Sequence, residues 1–228
     1  MGDNDYRGLV GSLNYLAITS RPDLAYAAHA LSSYLSNPGL THFTAAKHVL
    51  RYLQGTRDLA IVYRRGDEGM ILQGYSDSDW AGHLDSRRST SGYCFRLHGT
   101  AGCISWASKL QTSVATSTAE AEINAATLAA QELVHLQRLL GEAGFPQEPP
   151  TTIMVDNQAT IAIAGNPIQS AKTKHFDIKL YYLRELVSQN LVHLSYVPTA
   201  DNPADMFTKG LGKIKTDYFC KFVLGMNS

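Results

Sequence analysis

Ser117-Thr118-Ala119-Glu120-Ala121-Glu122-Ile123-Asn124-Ala125-Ala126 opens the longest helical pattern in the chain, which runs to about Ala143 and is stopped by Gly144 and Pro146. Its two carboxylates lie two residues apart and must therefore face different ways. Glu120 completes a capping box with Ser117 and heads the polar row Asn124, Thr127, Gln131, His135 and Arg138, so it reads as structural and solvent-facing. Glu122 heads Ala126, Ala129 and Leu133, small and apolar residues that suit a face packed on a sheet. A carboxylate on such a face has to be protonated, paired or bound to a metal, because burying an unpaired charge is strongly unfavourable.

Upstream of this helix, alternating segments at 71–77, 91–97 and 103–107 predict three strands, with Gly99 in the turn between the last two. Downstream, 152–155 predicts a strand, 157–164 and 176–187 predict helices, and 191–197 predicts a last strand leading through Pro198 and Pro203 into a C-terminal helix. Strands that run first as a meander and then alternate with helices imply an α/β fold: a mixed five-stranded sheet, three strands in a meander plus two more, flanked by helices. The region from Tyr6 to about Gln54 is helical throughout, with Leu9, Leu13 and Leu16 on one stripe, Ser20-Arg21-Pro22-Asp23 starting a second helix and Gly55 stopping a third. Lys47, His48 and Arg51 on that third helix read first as a solvated face. A short strand at 59–63 and a linker at 64–69 follow, so the expected division is a small helical subdomain, 1–66, and a sheet-containing domain, 67–228.

The chain has 228 residues, 44% of them hydrophobic, enough to bury a sizeable core. Twenty basic residues balance twenty acidic ones, so nucleic-acid binding, if present, must come from local patches. Cys94, Cys103 and Cys220 form no Cys-x-x-Cys pair and fit reduced thiols better than a zinc site. The acidic start lacks the pattern of a secretory signal, and no apolar run approaches the roughly 18 residues of a membrane span. A soluble, intracellular protein, cytoplasmic or nuclear, is expected.

Three further acids stand at element boundaries. Asp77 closes the first strand, where an ordinary turn residue is the alternative, and Asp79 shares its strand parity. Asp156 ends the strand Ile153-Met154-Val155, although Asn157 is able to cap the helix that follows. Asp205 falls in the first turn after Asn202-Pro203, a common structural position for an acid. Together with Glu122, these residues can converge at one edge of the sheet. Such a cluster repels itself unless cations intervene, and hard oxygen ligands favour Mg²⁺ or Mn²⁺.

Tyr75-Ser76-Asp77, the 117–122 segment, Val155-Asp156-Asn157 and Asn202-Pro203-Ala204-Asp205 resemble the four acidic motifs of the ribonuclease H fold. Asp79-Trp80-Ala81-Gly82, Ser89-Thr90-Ser91-Gly92-Tyr93, Lys174-His175-Phe176-Asp177-Ile178 and Ala204-Asp205-Met206-Phe207-Thr208-Lys209 are similar, more narrowly, to the ribonuclease H domain of copia-type retrotransposon polyproteins. The segments 6–13, Arg21-Pro22-Asp23 and Leu50-Arg51-Tyr52-Leu53 resemble the tail of the reverse transcriptase that precedes that domain.

This resemblance implies an endonuclease that cuts the RNA strand of RNA·DNA hybrids, with Asp77, Glu122, Asp156 and Asp205 as catalytic residues holding two Mg²⁺ or Mn²⁺ ions. It also implies products with 5′-phosphate and 3′-hydroxyl ends, and a polymerase domain as partner in the parent polyprotein. Expected nucleic-acid contacts are Arg87, Arg88, Ser89, Thr90, Ser91, Asn157, Lys172, Lys174 and His175, made to sugars and phosphates without base reading. One departure stands out: the short segment 197–201 has no histidine before the last acid, and His193 lies inside a strand. The competing expectation is a ribonuclease H-fold module with weak or no catalysis, co-opted for nucleic-acid or protein binding.

Overall fold

A computed structural model describes residues 3–64, 70–98, 102–166 and 177–226. Helices α1 (Asp3–Thr19), α2 (Ala25–Ser32) and α3 (Leu40–Gly55) come first. They bury Tyr6, Val10, Leu13, Leu24, Leu31 and Val49 in a core of their own. Strands β1 (Leu72–Asp79), β2 (Thr90–Leu97) and β3 (Cys103–Leu110) follow, then α4 (Thr118–Glu142), β4 (Thr151–Val155), α5 (Gln158–Gly165), α6 (Asp177–Ser188), β5 (Val192–Tyr196) and α7 (Lys213–Leu224). Short 3₁₀ turns at Pro22–Leu24, Thr199–Asp201 and Pro203–Phe207 complete the order.

The five strands form one mixed sheet in the order β3-β2-β1-β4-β5. β1 pairs antiparallel with β2, and β2 with β3, as a meander does. β4 runs parallel to both β1 and β5, each parallel connection being made through helices. This is the ribonuclease H-like arrangement expected from the sequence.

One sheet face is covered by α4, α5 and α6 over Leu72, Phe95, Leu133, Ile153, Leu183 and Leu194, and each such side chain contributes about 1.5–3 kcal/mol by leaving water. Tyr75, Cys94 and Cys103 pack instead with Phe207, Phe219, Val223 and Leu224 of the C-terminal turn and α7.

Several local signals act as expected. Ser117 accepts from the Glu120 N–H at the start of α4, and Asn157 accepts from the Thr160 N–H at the start of α5. Gly144, at φ 88°, follows α4, and Gly225, at φ 70°, closes α7 in the left-handed conformation.

The expected strand at 59–63 does not form. Its backbone makes single bonds, Val62 N–H to the Leu224 carbonyl (2.7 Å) and Gly102 N–H to the Val62 carbonyl (3.1 Å), because both edges it meets are loops or helix ends and offer no ladder. Most of the expected linker, 65–69, lies outside the described residues, as does Phe176, where α6 was expected to begin.

The helical segment is fastened to the rest by specific bonds. Trp106 Nε1–H of β3 donates to the Ala17 carbonyl (2.7 Å), and the Tyr63 hydroxyl donates to the Cys103 carbonyl (2.6 Å). Buried Arg21 forms two hydrogen bonds with Asp23 and two with Thr56, while Tyr52 donates to Asp23 and lies 3.6 Å from Cys220 of α7. No described helix is long and apolar enough to cross a membrane.

Candidate metal and nucleic-acid site

The parallel register sets Ser76 opposite Val155, so the next residues, Asp77 and Asp156, leave adjacent strands side by side. Glu122 reaches the same point from α4, whose row Ala126, Ala129 and Leu133 is fully buried against the sheet. One carboxylate oxygen from each of Asp77, Glu122 and Asp156 lies within 4.8 Å of the others. Asp77 and Glu122 are buried and Asp156 is half-buried. Between Asp77 and Asp79, which parity left open, it is Asp77 that joins the cluster.

Electrostatics there are unfavourable without a cation. Burial, then the charges of Asp77 and Asp156, push the Glu122 carboxyl well up, with the nearby polar groups of Ser78 opposing the shift. Burial likewise raises Asp77, opposed by Lys209 and by the Thr208 hydroxyl, which donates a short hydrogen bond to Asp77 Oδ2. Glu122 Oε2 is buried with no hydrogen-bond partner among the described residues. A converging oxygen set with an orphaned carboxylate oxygen fits a hard divalent ion and fits no soft metal.

Asp205 stands apart from the three. It sits in the turn Pro203–Phe207, where the Asn202 side chain caps the Ala204 N–H, and its side chain is fully buried. Lys209 Nζ lies 2.8 Å from Asp205 Oδ1 and 3.7 Å from Asp77 Oδ2, and Lys215 Nζ is 3.7 Å from Asp205 Oδ2. Burial opposes the Lys209 charge, but Asp77 and Asp205 outweigh it and hold the ammonium above its usual range. Gly92, the β2 partner of Asp77, lets this turn come close: a Cβ there would meet Phe207 Cβ and Thr208 Cγ2 at 2.7 Å.

The expected nucleic-acid residues divide into four groups. Arg87 is exposed at φ 53°, and half-buried Arg88 donates from Nε to the Ser86 hydroxyl. Ser89, Thr90 and Ser91 are buried; Ser89 accepts from the Ala81 N–H and Ser91 accepts from Gln111 Nε2, bonds that brace the strand end from within. Asn157 is spent on capping α5, and Lys172, Lys174 and His175 lie outside the described residues.

Glu120 is a further correction. It is structural but buried, accepting from both the N–H and the hydroxyl of Thr116. The reason is the segment before α4, which folds over the first turn and is pinned by Trp80 Nε1–H donating to the Ala115 carbonyl (3.1 Å). The first two residues of the polar row below it are likewise drawn inside, with Asn124 donating to Gln111 and Thr127 to the Lys179 carbonyl, while Gln131, His135 and Arg138 stay exposed. A pocket of about 190 Å³ opens beside them, lined by Lys109, Gln111, Asn124, Thr127 and Lys179 among others. Periodicity carried no signal for Lys109 or Lys179, which line the pocket through tertiary contact, whereas Lys209 closes the motif that begins at Ala204 and lies four residues after Asp205.

No family model matches the chain. Over 223 residues, 98% of its length, it is 41% identical to the retrovirus-related Pol polyprotein from transposon TNT 1-94 of Nicotiana tabacum, of which it spans 16%. It is 49% identical over 131 residues, 58% of its length, to the secreted RxLR effector protein 161 of Plasmopara viticola, of which it covers 90%. Among solved structures, the foamy viral protease-reverse transcriptase dRH in complex with double-stranded DNA matches 86% of the chain at TM-score 0.57 and 12% identity, over 32% of that protein. The same viral enzyme in complex with an RNA/DNA hybrid matches 86% of the chain at TM-score 0.51 and 11% identity, over 25% of its length. Over nearly its whole length the chain is thus related to one stretch of the Pol polyproteins of copia-type retrotransposons, and it adopts a ribonuclease H-like fold.

Proposed function

We infer that the chain hydrolyses the RNA strand of RNA·DNA hybrids with a divalent ion, Mg²⁺ or Mn²⁺, held by Asp77, Glu122 and Asp156. The observation that carries this reading is the meeting of those three carboxylates around a buried Glu122 oxygen that lacks a hydrogen-bond donor among the described residues. A bound ion supplies an activated water and a counter-charge for the oxygen that leaves. Water oxygen bonds to phosphorus, the bond from phosphorus to the ribose 3′-oxygen breaks, and that oxygen takes a proton, leaving 5′-phosphate and 3′-hydroxyl ends.

Asp77 and Glu122 position the attacking water, and the Thr208 hydroxyl fixes the Asp77 carboxylate through its hydrogen bond. Arg87 and Arg88 on one side, with Lys109 and Lys179 at the polar pocket on the other, suit phosphates of the two strands. The polymerase domain of the parent polyprotein is the natural partner, adding the grip that a chain of zero formal charge lacks.

The test is a labelled RNA·DNA duplex with Mg²⁺ or Mn²⁺, comparing the native chain with Asp77→Asn and Glu122→Gln. Both substitutions are expected to lower cleavage more than ~100-fold, beyond the loss typical of an outer partner of a metal ligand. Cleavage that survives either one refutes the assignment, and equal cutting of single-stranded RNA refutes the substrate class. A second reading, a module that binds hybrids with little catalysis, is favoured by the neutralisation of Asp205 by Lys209 and Lys215. Hybrid binding without cleavage in the native chain would establish it.

A further inference from the structure

Among the described residues, Lys209 is the one whose charge reaches both Asp77 and Asp205. Its Nζ stands between Asp205 Oδ1 at 2.8 Å and Asp77 Oδ2 at 3.7 Å, while Asp205 contributes no oxygen to the three-carboxylate cluster. The geometry is that of a cation bridging two carboxylates, with an ammonium as the cation. Lys209 and Asp205 are four residues apart on one turn, so the pair is preformed by local structure and does not wait for a ligand. The lysine also borders open space. It is about a third exposed and lines the mouth of a cleft of about 310 Å³ between α2, α3 and the C-terminal turn, with Tyr26, His48 and Tyr52 on its walls.

We propose that Lys209 is a tethered cation that occupies the second ion position of this centre, so that a second divalent ion binds between Asp77 and Asp205 only by displacing the ammonium into the cleft. This rests on the reading of Asp77, Glu122 and Asp156 as the first ion site. A mobile ion must compete with a charge held in place by the chain, at no loss of its own translational freedom on binding. The consequence is unequal loading: the first ion binds at the three acids, and the second binds more weakly than the carboxylates alone would dictate. Lys209 is thereby a positioning residue that sets how many ions the centre holds at a given metal concentration. It also keeps fully buried Asp205 compensated when metal is scarce.

Calorimetric and electron-paramagnetic titration with Mn²⁺ alone tests this on the native chain and on Lys209→Met. The native chain is expected to bind one ion and then a second at least ~tenfold more weakly, and Lys209→Met to tighten the second at least ~tenfold without changing the first. Lys209→Arg, which restores the cation, should return to native behaviour. Second-ion affinity that is unchanged or weaker in Lys209→Met overturns the proposal, as does equal affinity for both ions in the native chain. Failure of the native chain to bind any Mn²⁺ refutes the metal-site reading itself and is thus distinguishable. Should Lys209→Met not fold, the ammonium resonance of Lys209 in the native chain serves instead. It is expected to hold through the first equivalent of Mg²⁺ and to shift with the second, and a resonance that stays put at full loading overturns the proposal.

Discussion

Asn202 and Ser76 are joined by a buried hydrogen bond: Asn202 Nδ2 donates to the Ser76 carbonyl over 2.9 Å, while its Oδ1 accepts from the Ala204 N–H. A single side chain therefore fixes the turn bearing Asp205 to the residue just before Asp77. Asn202→Ala leaves a buried carbonyl unsatisfied and the turn uncapped, and is expected to lose about 2 kcal/mol in urea denaturation. Hybrid cleavage should fall alongside. Native stability in the Ala variant would show that the turn is held by packing alone.

The raised carboxyls make the metal-free protein sensitive to pH. Burial holds Asp77 and Glu122 protonated above the range in which the unfolded chain releases those protons. Their stabilising share is thus present below the ordinary carboxylate range and lost as pH rises through the raised folded values. Melting of the EDTA-treated chain should accordingly drop in temperature from mildly acid to mildly alkaline solution. Saturating Mg²⁺ binds the ionised form and should flatten or reverse that slope. A metal-free melting temperature that climbs across this window would contradict the electrostatic account.

Arg21 and Asp23 tie the turn after α1 to the end of α3 from within, through Thr56 and Tyr52, with side-chain exposures of 8% and 0%. Arg21→Ala strands the Asp23 carboxylate and is expected to cost about 3–5 kcal/mol. Adding Asp23→Asn should recover a large part of the loss, since no buried charge then lacks a partner. Amide exchange read over α1 to α3 checks this, and equal protection in the native and Arg21→Ala chains would rule out the pair as a fastening.

The sheet and the choice of Glu122 over Glu120 were legible because both follow from periodicity: alternation for the strands, and the alanine row for the helix face. Parity, blind to position along a strand, does not separate Asp77 from Asp79; only the motif resemblance favours Asp77. Glu120 and Ser89 to Ser91 look solvent-facing from their chemistry, yet the segment 111–117 covers Glu120, and Thr90 and Ser91 open a strand held between β1 and β3. Asp205 carried the right motif, but its pairing with Lys209 depends on the path of a turn that no pattern of hydrophobicity records. The absent strand at 59–63 has the same origin, since a β-prone run needs an open partner edge that lies elsewhere in the chain.

Asp77 and Asp156 owe their nearness to the lattice of the sheet, where neighbouring strands stand about 4.8 Å apart whatever lies between them in sequence. Their spacing is consequently indifferent to the length of the hairpins and helix that intervene. Insertions or deletions there can accumulate across a lineage without retuning the pair, whereas a one-residue slip of β4 against β1 would part them in a single step. Descendant copies of such elements should diverge freely in their loops and hold this register fixed.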